Sequence, residues 1–206
     1  MIVCLIVAAP AFAQAPARDA RYTDCLARAV PDPEAALAEG FAWEDEGGGA
    51  PARHCAAIAL LGMGEAEEAA ARLETLVGQP PFSGQESRAE ILRQAASAWL
   101  LAEDLPRAEE AASRAITVAP DAALYVLRAQ VRMEALDYAG AESDLDEALA
   151  LDPANAQALM WRAQARLAQG ELDDALTDAE AAVDADPRSV AARLILGDIR
   201  EALRAR

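Results

Sequence analysis

Residues 123–153 read ALYVLRAQVRMEALDYAGAESDLDEALALDP, and residues 156–187 read AQALMWRAQARLAQGELDDALTDAEAAVDADP, one pattern written twice. Ala129 recurs as Ala163, Ala141 as Ala175, Ala148 as Ala182 and Pro153 as Pro187, at a period of roughly 34 residues. Small residues recur at helical spacing, each half breaks once near its middle, and each closes on a proline. Such a unit is a helix hairpin that cannot bury its apolar face alone, so copies must stack on one another. The stretch therefore predicts an all-α solenoid of antiparallel hairpins.

Working outward, the unit ending at Pro120 repeats the pattern through Ala96, Leu105, Ala108 and Ala115, and the one before it through Ala57, Gly64, Ala69 and Leu76. Repeats are expected over residues 50–83, 87–121, 122–155 and 156–187, with Phe82 to Ser87 as an irregular insert. Residues 14–49 read as a capping pair. A short helix runs from Asp19 to Val30, and Pro31-Asp32-Pro33 stops it and starts a second. That second helix should turn Ala36, Leu37, Phe41 and Trp43 inward before Gly47-Gly48-Gly49 ends it. Residues 188–206 form a last helix with Arg193, Arg200, Arg204 and Arg206 outward, a solvating cap for the array.

These residues resemble the tetratricopeptide repeat family: Tyr138, Gly140-Ala141, Ala148 and Pro153 in one unit, and Gly170, Leu172, Ala175, Ala182 and Pro187 in the next. The resemblance implies a right-handed superhelical solenoid, here of about five hairpins plus the terminal helix. It also implies that the first helix of each hairpin lines a concave groove for a protein or peptide partner. The groove candidates are Glu90, Arg93, Ser97, Leu100, Val126, Gln130, Met133, Met160, Gln164 and Leu167. Met133 and Met160 read equally well as core. The groove lacks the Lys and Asn cluster that family members use to clamp a carboxylate tail.

The two clear repeats depart from the family pattern together. Arg128 and Arg132, then Arg162 and Arg166, stand where apolar residues are usual. Their second helices carry Asp144 and Asp146, then Asp178 and Glu180. The preceding unit has Ala95, Trp99 and Ala111 at the matching places. Arginines four apart share a helix face, so they are expected to reach across the hairpin to those acids. The other reading is an arginine-lined site for an acidic ligand.

The chain carries 35 Asp and Glu against 18 basic residues, all Arg, for a net charge of -17. No basic face exists to neutralise nucleic-acid phosphates or an anionic membrane surface. The start, MIVCLIVAAPAFAQA, reads as an export signal cut after Ala13, with Ala11-Phe12-Ala13 as the small-x-small site. No basic residue precedes its apolar run, which marks a minimal signal or a start downstream of the natural one. The run is too short to span a bilayer, so a periplasmic or secreted protein without membrane insertion is expected.

Export makes Cys25 and Cys55 read first as a disulfide, with a thiol-redox or metal role for Cys25, His54 and Cys55 as the rival. One histidine, no phosphate loop and no nucleophile elbow leave no recognisable catalytic set, and no cofactor is expected. The function expected is an exported, non-catalytic scaffold or adaptor. Its alternative is an accessory chaperone or assembly factor for envelope proteins.

Overall fold

The computed structural model describes residues 20–206. The expected leader, Met1 to Ala13, lies outside the described residues. Among those described, helices follow one another without a strand: α1 Ala20–Arg28, α2 Pro33–Asp45, α3 Gly49–Met63, α4 Ala66–Leu76, α5 Gln85–Leu101, α6 Leu105–Val118, α7 Ala122–Glu134, α8 Tyr138–Leu151, α9 Ala156–Gln169, α10 Leu172–Ala185 and α11 Val190–Arg204.

Caps decide where most of these helices begin. Asp32, Asp104, Asp121, Asp137, Asn155 and Ser189 each accept a hydrogen bond from the backbone N–H three residues on. Such a cap satisfies a donor the helix start would leave unpaired, so part of the acidity of the chain is structural. Within each of the four hairpins from α3 to α10 the turn uses one left-handed residue. Gly64 and Gly170 supply it freely at φ 86° and 81°, whereas Glu103 and Leu136 adopt it at φ 60° and 61°.

Alanines set the spacing between helices. Ala96, Ala129 and Ala163 on the first helices, with Ala108, Ala141 and Ala175 on the second, are all fully buried. Small side chains let the axes approach closely, and Trp99, Leu73, Leu92, Leu124 and Leu145 fill the space between. Gly62 takes the same logic further, since a Cβ there would stand 2.3 Å from the backbone oxygen of Ala29. The core is continuous because α7 belongs to both halves. Leu127 and Val131 pack with Trp99 and Leu73, while Val126 and Met133 pack with Leu145 and Leu159.

The array bends in one direction. First helices touch their counterparts, α5 to α7, α7 to α9 and α9 to α11, while α6, α8 and α10 show no comparable contact with one another. The first helices are therefore on the inside of the curve. Between α3 and α5 that spacing opens, because residues 77–84 form a longer connection than residues 119–121 between α6 and α7. This insert lies earlier than the expected Phe82 to Ser87, since α5 already starts at Gln85 behind an extended Gly84.

At the N-terminal end Ala36 and Trp43 are buried, but Phe41 is exposed on the surface, with the Arg72 guanidinium 4.9 Å over its ring. Expected inward, Phe41 instead gains a cationic cover. The Cys25–Cys55 disulfide, with Cα atoms 6.0 Å apart, ties α1 to α3.

Candidate functional site: the inner groove and its N-terminal pocket

The inner face is built from one position repeated. His54 precedes Pro81 by as many residues as Arg93 precedes Pro120, Val126 precedes Pro153 and Met160 precedes Pro187. Reading the family position onward places Leu194 of α11 in the same row. Of the groove candidates, Glu90 is exposed, and Arg93, Ser97, Leu100, Gln130, Met160, Gln164 and Leu167 are partly exposed. Val126 and Met133 are not groove residues. They are 3% and 7% exposed and pack with Leu145 and Leu149, because α9 closes on α7 at that depth. Leu101 and Leu194, 70% and 63% exposed, extend the apolar part of this face and were absent from the sequence candidates.

The row ends in a pocket where α3 and α5 spread apart. Its volume is about 500 Å³, and α1 supplies Tyr22, Thr23 and Leu26, α3 supplies His54, the insert supplies Pro81 and Phe82, and α5 supplies Ser87, Glu90, Ile91 and Gln94. His54 is 4% exposed and holds both ring nitrogens in hydrogen bonds. Tyr22 Oη lies 2.6 Å from Nδ1 and Gln94 Oε1 lies 2.7 Å from Nε2. Gln94 Nε2 donates in turn to Glu90 Oε1 at 2.8 Å. That orientation turns the Gln94 carbonyl oxygen towards His54, so the proton belongs on Nε2 and Nδ1 accepts from Tyr22.

Burial pushes the His54 pKa below its ordinary value, against the hydrogen bond to Gln94 and the charge of Glu90. The imidazole is thus neutral at pH 7. For Glu90, burial alone pushes the pKa up. The hydrogen bonds and charge of Arg93, with Gln94, outweigh that and hold it below the usual carboxylate value. Sequence reasoning missed His54 as a wall of this pocket because the insert displaces it from the period of roughly 34. Its fixed distance from Pro81 was the signal that locates it.

The arginines form a ladder beside the groove. Arg128 Nε and Nη2 donate to the two oxygens of Asp144 at 2.9 and 2.6 Å, and Nη1 donates to Ser113 Oγ at 3.0 Å. Arg132 pairs with the same Asp144 at 2.9 Å and donates to Glu109 at 2.9 Å. One unit later, Arg162 closes on Asp178 at 2.9 and 2.7 Å, and Arg166 donates to Asp178 and to Glu142, both at 2.8 Å.

Asp146 and Glu180, expected within their own hairpins, are reached from the next unit by Arg162 at 2.7 Å and Arg200 at 3.0 Å. They face outward from α8 and α10, toward the helix that follows. Hydrogen bonds to Asp144 and to Asp178 raise the Arg128 and Arg162 pKa values further above the ordinary guanidinium value. With their donors committed to acids, these arginines act as ties between helices.

For the metal alternative, Cys25, His54 and Cys55 offer no free ligand here, since the two sulfurs are joined and His54 is bonded at both nitrogens.

Comparison with known proteins agrees with this geometry. The tetratricopeptide repeat family matches residues 56–123, 126–189 and 162–205. Among solved structures, the first such domain of human RPAP3 is 25% identical at a TM-score of 0.56, covering 57% of this chain and 93% of that one. The first such domain of Spaghetti (RPAP3), bound to the HSP90 peptide SRMEEVD, is 26% identical at a TM-score of 0.55, covering 56% and 93%. A thermophilic repeat protein from Thermus thermophilus shares the fold at 23% identity and a TM-score of 0.60, covering 88% and 98%. No curated protein matches the chain significantly. The repeated alanines, the closing prolines and the inner row from His54 to Met160 thus belong to a member of the tetratricopeptide repeat family.

Proposed function

We propose that the protein is an exported, non-catalytic scaffold that binds a protein or peptide partner along its inner groove. The observation that carries the reading is the row of partly exposed Leu100, Gln130, Met160, Gln164 and Leu167 on first helices that touch one another. Amide and thioether side chains accommodate varied surfaces, and apolar side chains left open on one concave face favour burial by a partner. Relatives of the family at 26% identity were solved holding HSP90 and HSP70 peptides, so the fold is one that receives peptides.

Export is supported by the apolar start ending in Ala11-Phe12-Ala13 and by the Cys25–Cys55 bond, which persists in oxidising compartments. Among the described residues no helix is long and apolar enough to cross a membrane.

Capture of partners from an envelope extract tests the reading. Wild type is compared with a variant carrying Leu100→Asp, Met160→Asp and Gln164→Ala, at positions that are not deeply buried. The variant is expected to melt like wild type and to lose the partner. Retention of the same partner overturns the groove reading. Intact protein that still carries Met1 to Ala13 and fractionates with the cytosol overturns export.

A further inference from the structure

The N-terminal pocket has a chemistry the rest of the groove lacks. Its floor is aromatic: the His54 ring lies 5.3 Å from Phe82 and 5.8 Å from Tyr22, centroid to centroid. Leu26 and Ile91 add aliphatic wall. At its rim Glu90 is shared with a second cavity of about 130 Å³, which Glu86, Arg93 and Asp121 also line. Three carboxylates stand there against one guanidinium, and that guanidinium is already closed on Glu90 at 2.7 and 2.6 Å.

Donors on this wall are directed inward along the chain from His54 to Gln94 to Glu90. A carboxylate offers about four acceptor sites. Arg93 Nε takes Oε2, and Arg93 Nη2 and Gln94 Nε2 share Oε1, so Glu90 has room for a further donor on Oε2. An incoming anion would meet excess negative charge, locally and across a chain of net charge -17. An incoming cation would find a carboxylate beside aromatic faces, which attract it.

We infer that this pocket receives a lysine or arginine side chain from a partner segment lying in the groove, its methylene stem on Leu26, Phe82 and Ile91 and its charged head at Glu90. The inference rests on the groove reading above. It gives that groove a polarity opposite to the acidic HSP90 peptide SRMEEVD held by the relative.

The test uses the full chain and short acetylated, amidated peptides Gly-Ser-Leu-Xaa-Leu-Ser-Gly, with Xaa as Arg, Lys, Leu or Glu, followed by amide NMR. The Arg and Lys peptides are expected to move the signals of Phe82, Ser87 and Gln94, and to bind about tenfold more tightly than the Glu peptide. Glu90→Gln is expected to abolish that preference. Phe82→Ala, on the connection rather than a helix, is expected to weaken both basic peptides alike. A response to the Leu and Glu peptides as strong as that to the Arg and Lys peptides, or wild-type preference in Glu90→Gln, overturns the assignment. Shifts confined to Gln130, Met160 and Gln164 overturn it while leaving groove binding intact. No shift with any peptide at millimolar concentration overturns both.

Discussion

Arg162 closes both prongs of its guanidinium on the Asp178 carboxylate, at 2.9 and 2.7 Å, and Arg166 reaches the same carboxylate at 2.8 Å. Asp178 is 4% exposed. One buried acid thus holds two arginines, and each arginine also holds an acid of the preceding unit, Asp146 or Glu142. The arrangement fixes how one hairpin sits on the next. Its net worth is smaller than its geometry implies, because two cations and one anion are drawn out of water.

Removing Asp178 is expected to cost more than the ladder as a whole contributes. Asp178→Ala leaves two half-buried guanidinium groups with only Asp146 and Glu142 to compensate them and should destabilise the chain by about 3 kcal/mol. Replacing Arg162, Arg166 and Asp178 together by leucine should recover most of that loss. Urea unfolding decides the matter, and equal destabilisation by both variants would refute it.

The disulfide should act locally. A bond between residues separated by 30 positions restricts the unfolded chain by about 3 to 4 kcal/mol. Reduction is expected to loosen α1 from α3 and strip hydrogen-exchange protection from Tyr22 to Ala29. Protection of α7 to α10 should persist, since each hairpin is stabilised by its neighbours. Loss of protection throughout the array under reductant would show that the bond staples more than the cap.

Stability should fall on mild acidification. The folded pKa of His54 lies below its unfolded value of about 6.5, chiefly through burial. Between the two values the unfolded state binds the proton and the folded state does not. The stabilisation is therefore complete above about pH 6.5 and is lost progressively as pH falls towards the folded pKa. His54→Gln can keep a hydrogen bond to Gln94 without titrating, and should flatten this part of the profile. Melting curves between pH 7 and 5 that superimpose for both proteins would exclude His54 as the source.

Leu136 adopts φ 61° at the turn between α7 and α8, yet its side chain is 69% exposed. Leu136→Gly removes left-handed strain without removing packing, and should raise stability by about 1 kcal/mol. Leu136→Ala keeps the Cβ and should gain nothing. A gain from alanine equal to that from glycine would place the effect in the exposed leucine rather than the backbone.

The doubled stretch carried the fold into view because its period, alanines and closing prolines act within one hairpin. Cys25 and Cys55 were legible as a pair from their number and the expected export signal. What lay between units was harder to read. Glu109 and Glu142 bind Arg132 and Arg166 from the neighbouring hairpin, and local spacing does not reveal which neighbour a charged side chain meets. Val126 and Met133 share a row with exposed residues and are buried all the same, since the approach of α9 to α7 sets the depth of the groove. His54 was hidden by the residues inserted before α5, which shift it off the repeat while leaving its distance to Pro81 unchanged.

The groove itself is tested most directly by photo-crosslinking in the cell of origin. A benzophenone amino acid is placed in turn at Met160 and Gln164 on the inner face of α9, and at Glu147 and Thr177 on exposed positions of α8 and α10. A discrete protein adduct is expected from Met160 and Gln164 and none from Glu147 or Thr177. Adducts from the second-helix positions, with none from the inner face, would contradict groove binding.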